Sequence, residues 1–332
     1  MNWKRLLIGL AFSCAIILGS GTADAAKMAQ GHPATLLATG LGEALGSTIG
    51  PDGALYIPQC TLGSIARVDP RTGAITTFAS GLPKQLHSVG LGGAMDVAFI
   101  GKTAYVLVSL VSPDLGGHDV DGIYRVDGPD TFTVVADIGA FNLQNPPTIP
   151  FSYVVKTGVL YALQPYRDGF LVTDAHLNRV LQVSLDGAIS VVIPFDNIVP
   201  TGMAVWGNTV YMAEAGPVPF LPQDGKVVTF NPQSPTAAEV ASGASWLVGA
   251  KFGPGRSLYA LSQGQYGGNG PGSPALPNTG SLVEANQDGT FTVITSPLDR
   301  PTSMQFIGNT AYVVTYTGQI WKIDVSDGGD HD

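Results

Sequence analysis

Few side chains in this sequence are suited to acid–base or metal chemistry, and they are widely scattered. The whole chain carries 16 Lys+Arg, 25 Asp+Glu and 5 His, and beyond residue 27 only four Glu remain: Glu43, Glu214, Glu239 and Glu284. Asp96, within Ala94-Met-Asp-Val-Ala98, starts an apolar run. A carboxylate there either faces a shared interior and holds an ion or water, or accepts backbone N–H groups from a neighbouring element. Asp174, in Val172-Thr-Asp-Ala175, reads as the cap of the turn that follows it, and Glu214 has the same setting in Met212-Ala-Glu-Ala215. His118 stands among Asp114, Asp119 and Asp121. That cluster offers oxygen ligands to a hard cation but lacks the spacing of a calcium loop, so it reads as a solvated loop. His87 and His176 read as structural rather than as general bases. The tail Asp327-Gly-Gly-Asp-His-Asp332 reads as frayed.

Local catalytic signatures are absent. There is no G-x-S-x-G serine elbow and no H-E-x-x-H zinc motif. Gly101-Lys-Thr103 ends like a phosphate-binding loop, but Asp96 stands where the first glycine is required. Gly40-Leu-Gly42 lacks the third glycine and the βαβ context of a dinucleotide site. The formal net charge of −9 argues against nucleic acid, whose phosphates need a basic surface. A chemistry built from these residues must therefore be assembled by the fold from distant segments.

The elements that would assemble it are short strands. The chain has 332 residues, 43 Gly and 24 Pro, with 45% hydrophobic and 12% charged residues. Strong helix formers are too scarce for a bundle, and the apolar content is too high for disorder. A phrase recurs in which a Gly/Asp/Asn turn leads into a small or apolar residue, Tyr and more apolar residues. It appears at Gly50–Ile57 (Tyr56), Gly101–Val106 (Tyr105), Gly207–Met212 (Tyr211), Gly255–Ala260 (Tyr259) and Gly308–Val313 (Tyr312), with a looser copy at Asp168–Thr173. A second phrase follows each copy: strand, polar turn, strand, as in Ser64–Phe78, Arg179–Val192 and Ser281–Val293. Alternating apolar and polar residues give the strand period.

Six such units of about 50 residues match the length of propeller blades. The last unit stops after Ile323 without a fourth strand, while Pro33–Leu41 is a spare strand at the other end. The sequence therefore predicts an all-β, six-bladed β-propeller over 27–326, its ring closed by the N-terminal strand. Closure brings blade-start residues Glu43, Asp96, Ser152, Thr201, Trp246 and Thr302 towards one channel mouth as binding candidates. Glu43 and Asp96 are the weak candidates for a divalent cation such as Ca²⁺. Glu43 otherwise reads as a solvated carboxylate. Gly/Pro-rich segments 111–120, 142–150, 216–224 and 263–279 read as loops, the usual carriers of binding function.

Residues 1–26 read as a cleaved secretory signal: Lys4 and Arg5, the apolar run Leu6–Leu18, then Ala23-Asp-Ala25. Cleavage would leave no membrane span and one cysteine, Cys60, which reads as a buried small hydrophobe. The expected location is secreted or periplasmic.

The mature chain resembles NHL-repeat six-bladed propellers. More narrowly it resembles secreted proteins of the ScyD/ScyE type, named for the scytonemin pigment cluster. Leu171–Val183, Val199-Pro-Thr-Gly-Met-Ala204, Tyr211–Val227 and Arg300-Pro-Thr-Ser-Met304 carry the resemblance. The family pattern has Ser-Asn-Pro-Tyr at the third blade, where this chain has Pro150-Phe-Ser-Tyr153. The resemblance implies an exported propeller and no agreed chemistry. A more distant resemblance is to gluconolactonase-like propellers, which implies a metal held by Glu, Asp and Asn. Glu43 matches loosely, whereas Thr201 and Ser152 stand where Asp and Asn are expected. The expectation is a propeller that binds an unknown small molecule or protein partner, with no catalytic set recognised. The alternative is a metal-dependent hydrolase or lyase working at the central channel, and a third possibility is an adaptor in an extracytoplasmic complex.

Overall fold

The structure is a computed structural model that describes residues 31–326 except residue 271. The segment read as a secretory signal, residues 1–26, and the tail from residue 327 lie outside the described residues. Six four-stranded antiparallel sheets follow one another around a ring. Their innermost strands are Thr48–Ile49, Gly93–Ile100, Leu160–Tyr166, Pro200–Trp206, Leu247–Phe252 and Pro301–Ile307, for blades 1 to 6.

Blade 6 is completed by Ala34–Ala38, which pairs antiparallel with Ile320–Asp324 in the register Ala34↔Ile323 and Leu36↔Trp321. The spare strand of the sequence is thus the closing strand, and it covers the edge that Ile320–Asp324 would otherwise expose. The recurring tyrosine also has a physical purpose. Tyr56 lies edge-on to Phe99 at 4.8 Å, Tyr211 to Phe252 at 4.8 Å, and Tyr259 packs on Phe306 at 4.8 Å. Each contact runs from the second strand of one blade to the inner strand of the next, so the repeat encodes the seam between blades.

Two features differ from the sequence reading. Ile138–Gln144 is a short helix, α1, capped by the Asp137 carboxylate accepting from the Ala140 N–H at 2.8 Å. It takes up the start of the segment read as loop 142–150. Secondly, Asp121 is buried, not solvated: it accepts from the Val111 N–H at 2.8 Å and the Ser112 hydroxyl at 2.7 Å. Those bonds tie down the base of the loop, while His118, Asp114 and Asp119 remain exposed. Cys60 is buried, its thiol donates to the Ala94 carbonyl, and burial pushes its pKa up to about 12. Among the described residues no helix is long and apolar enough to cross a membrane.

Candidate functional site

Antiparallel blades place two kinds of loop on one rim of the ring: those between blades, and those joining second to third strands. A repeated bond fixes this rim. The residue that closes the second strand donates its N–H to the carbonyl just before the inner strand: Cys60 to Glu43 (2.8 Å), Ala175 to Val159 (2.8 Å), Ala215 to Val199 (3.0 Å), Gln263 to Trp246 (3.0 Å) and Tyr316 to Arg300 (2.9 Å). Glu43 and Trp246 therefore hold equivalent positions in the ring, as do Leu45, Tyr161, Thr201, Val248 and Thr302 two positions further on.

The two threonines are used by the fold. Thr201 donates its hydroxyl to the carbonyls of Ala213 (3.0 Å) and Leu247 (2.9 Å). Thr302 donates likewise to Val314 (3.2 Å) and Ala44 (2.9 Å). Each pins its own second strand to the next blade. Asp96 also bridges blades: one oxygen accepts from the Leu163 N–H at 2.8 Å, the other from the Val97 N–H at 2.9 Å. Glu43 lines neither channel cavity. It is half-buried beside Cys60 and Tyr316, with one carboxylate oxygen buried and unpartnered. Ser152 is exposed and lies in the connection after α1, well before the true inner strand of blade 3, Leu160–Tyr166. The residue at the inner-strand position in that blade is Tyr161.

Tyr161 and Leu45 wall two cavities and separate them. On the loop rim is an apolar cup of about 130 Å³, lined by Leu91, Val159, Val199, Phe220 and Trp246. Phe220 and Trp246 are stacked, with centroids 4.0 Å apart and planes at 20°, and Tyr266 meets both edge-on. An adjoining cavity of about 340 Å³ shares Leu91, Val159, Val199 and Phe220 and adds Ser152 and His176 at its margin. His176 accepts at Nε2 from the N–H groups of Val154 (3.0 Å) and Val155 (3.1 Å), and burial lowers its pKa. Nε2 is thus occupied as a structural acceptor, which leaves the ring proton on Nδ1. Beyond Tyr161 lies a smaller polar compartment of about 40 Å³ that contains Asp96, Gln164, Lys251 and Gln305.

Phe220, Tyr161 and Lys251 were not singled out by sequence. Phe220 sits in a Pro-rich loop with no periodicity. Tyr161 follows no Pro-Thr phrase of the kind that marks Thr201 and Thr302. Lys251 lies opposite Tyr259 in the register, as Gln305 lies opposite Tyr312, so the tyrosine repeat was the signal that would have found it.

The residues at the channel do not fit the divalent cation implied by the lactonase resemblance. Among the described residues no three His, Cys, Asp or Glu side chains come together. Both Asp96 oxygens accept backbone N–H groups, and the carboxylate shares its compartment with the Lys251 ammonium.

Burial pushes the Asp96 carboxyl up to about 6 and Glu214 up to about 7. Their folded values lie above the ordinary carboxylate range near 4, so the folded chain holds these protons more tightly than the unfolded one. Their contribution is full below about pH 4 and is lost as pH rises towards 6–7. We expect the wild type to lose about 2–3 kcal/mol of unfolding free energy per group between pH 4.5 and pH 7. Urea titrations at the two pH values should show a shallower loss in Asp96→Asn and Glu214→Gln. Identical slopes in all three proteins would refute the assignment.

No family model matches the chain, and no curated protein does. Solved structures do. A gluconolactonase from Xanthomonas campestris superposes with a TM-score of 0.58 at 11% identity, over 87% of this chain and 89% of its own. Virginiamycin B lyase from Staphylococcus aureus gives 0.51 at 12% identity, over 89% and 99%. A chain of the nidogen/laminin complex gives 0.56 at 15% identity, over 84% and 91%. The chain is a six-bladed β-propeller. Its structural neighbours include lactonases and lyases, and at these identities the likeness is one of fold.

Proposed function

We propose that this chain is an exported binding protein of the ScyD/ScyE type whose ligand site is the apolar cup on the loop rim. The observation that carries the reading is the stacked Phe220–Trp246 pair set in an apolar wall at the channel mouth. Concave apolar sites with aromatic walls are the usual form of small-molecule sites. Thr201, the threonine that lines the cup, spends its hydroxyl joining blades, so binding there rests on apolar contact and stacking. The class of ligand this suits is a flat, largely apolar small molecule. The signal-like segment at residues 1–26 and the ScyD/ScyE resemblance support export.

A test uses 8-anilinonaphthalene-1-sulfonate as the probe. Saturable binding with one probe per chain is expected, and Trp246→Ala should weaken it at least tenfold. Because Trp246 is buried in the core, the variant also loses stability, and binding is read at a temperature where circular dichroism shows it folded. Absence of saturable binding, or binding indifferent to Trp246→Ala, would count against the cup.

The hydrolytic reading is favoured by one feature, the Asp96 carboxyl in the channel, which burial pushes up to about 6. It requires turnover of a lactone such as dihydrocoumarin that is lost in Asp96→Asn. Loss of that turnover on adding a chelator would bring back a cation despite the poor donor set.

A further inference from the structure

The polar compartment beyond Tyr161 has a construction of its own. Inner-strand positions at one level of the ring are Gly46, Asp96, Ala162, Gly202, Gly249 and Ser303, so only Asp96 projects a long side chain there. Glycine is needed at 46, where a Cβ would collide with the Asp96 carboxylate. Two residues further along each strand, Lys251 is the one charged side chain among Thr48, Ala98, Gln164, Ala204 and Gln305. Its ammonium donates to the Met203 carbonyl at 3.0 Å and to Gln164 Oε1 at 3.4 Å. An ammonium has three donors, so one is left over. Each Asp96 oxygen accepts one N–H and keeps a second lone pair.

Asp96 and Lys251 feel each other's charge, yet no nitrogen–oxygen contact within 4.0 Å joins them. Both are half-buried and keep surface open to the compartment. A separated pair of opposite charges facing one small cavity is complementary to a molecule with the reverse pair. The cavity measures about 40 Å³. A single water needs roughly 10–15 Å³ on this measure, so there is room for a molecule of a few heavy atoms. From this geometry we propose a second site, separate from the cup, that binds a small zwitterion of the α-amino-acid type. Its carboxylate would meet the spare Lys251 N–H and its ammonium would meet Asp96. The cavity volume of about 40 Å³ leaves no room for a large side chain.

Gly249 supplies a clean test. It lines the compartment, its φ is unexceptional, and a Cβ there would meet no atom within 4 Å. Gly249→Val in a strand therefore fills the lumen without straining the fold. Calorimetric titration of the mature protein with glycine should show saturable binding at least tenfold tighter than acetate or methylammonium, each of which offers half of the charge pair. Gly249→Val and, independently, Lys251→Met should each weaken glycine binding at least tenfold. Phenylalanine should not bind. The proposal is overturned if glycine fails to bind, binds no more tightly than acetate, or titrates Gly249→Val as it does the wild type.

Discussion

A chain lacking residues 31–38 is expected not to fold cooperatively, with a loss of more than about 5 kcal/mol, at the extreme of what local changes do. Ala34–Ala38 supplies the outer strand of blade 6, and its removal exposes the backbone edge of Ile320–Asp324. The same segment holds the ring together beyond its own sheet. His32 donates its N–H to the Ile294 carbonyl at 2.8 Å, and the Thr295 hydroxyl donates to the His32 carbonyl at 2.6 Å. Deletion therefore loosens blade 5 as well as blade 6 and leaves an open, pairing-prone edge. Circular dichroism melts and size-exclusion chromatography would read this as a broad transition and aggregation. A synthetic peptide covering residues 31–41 should restore a cooperative melt when added in trans. A deletion variant that melts sharply near the wild-type temperature would show that the ring does not depend on its closing strand.

This strand was legible in the sequence because a ring must close: six copies of a phrase with one strand missing at one end and one to spare at the other have a single economical solution. The tyrosine repeat was legible for a similar reason, since seams between blades recur at every interface. The start of blade 3 was not. A long connection containing α1 separates the outer strand of blade 2 from Leu160. The family pattern at Pro150–Tyr153 put Ser152 at the start of an inner strand, whereas it lies in the connection before Leu160 and borders the cavity beside the cup. Blade-start threonines were found, but their purpose was not. A hydroxyl that could face a ligand and one that pins two carbonyls look identical until the neighbouring blade is in view. Asp96 shows both at once, spending a lone pair from each oxygen on the fold and keeping the others for the channel.

Asp174→Ala should cost about 3–5 kcal/mol, the scale set by uncovering buried charged and polar partners. Asp174 has no exposed surface. One oxygen accepts from the N–H groups of Leu177 (3.0 Å) and Val159 (3.1 Å), and the other accepts from Asn142 Nδ2 at 2.7 Å. Asn142 in turn accepts from Arg179, which is 3% exposed, at 2.8 Å. Alanine would strand two backbone donors and one amide, and remove the carboxylate whose charge favours the nearby guanidinium. Burial raises the Asp174 pKa in spite of these partners. Desolvation therefore outweighs the attraction of Arg179, and the residue stabilises chiefly as an acceptor. Asp174→Asn separates the two contributions. Its carbonyl oxygen can keep both backbone donors, while its amide faces the Asn142 amide, so its expected cost is only about 1–3 kcal/mol. Urea denaturation of the two variants decides the point. Equal losses would mean that the charge on Asp174, rather than its acceptor geometry, holds α1 and the third blade together.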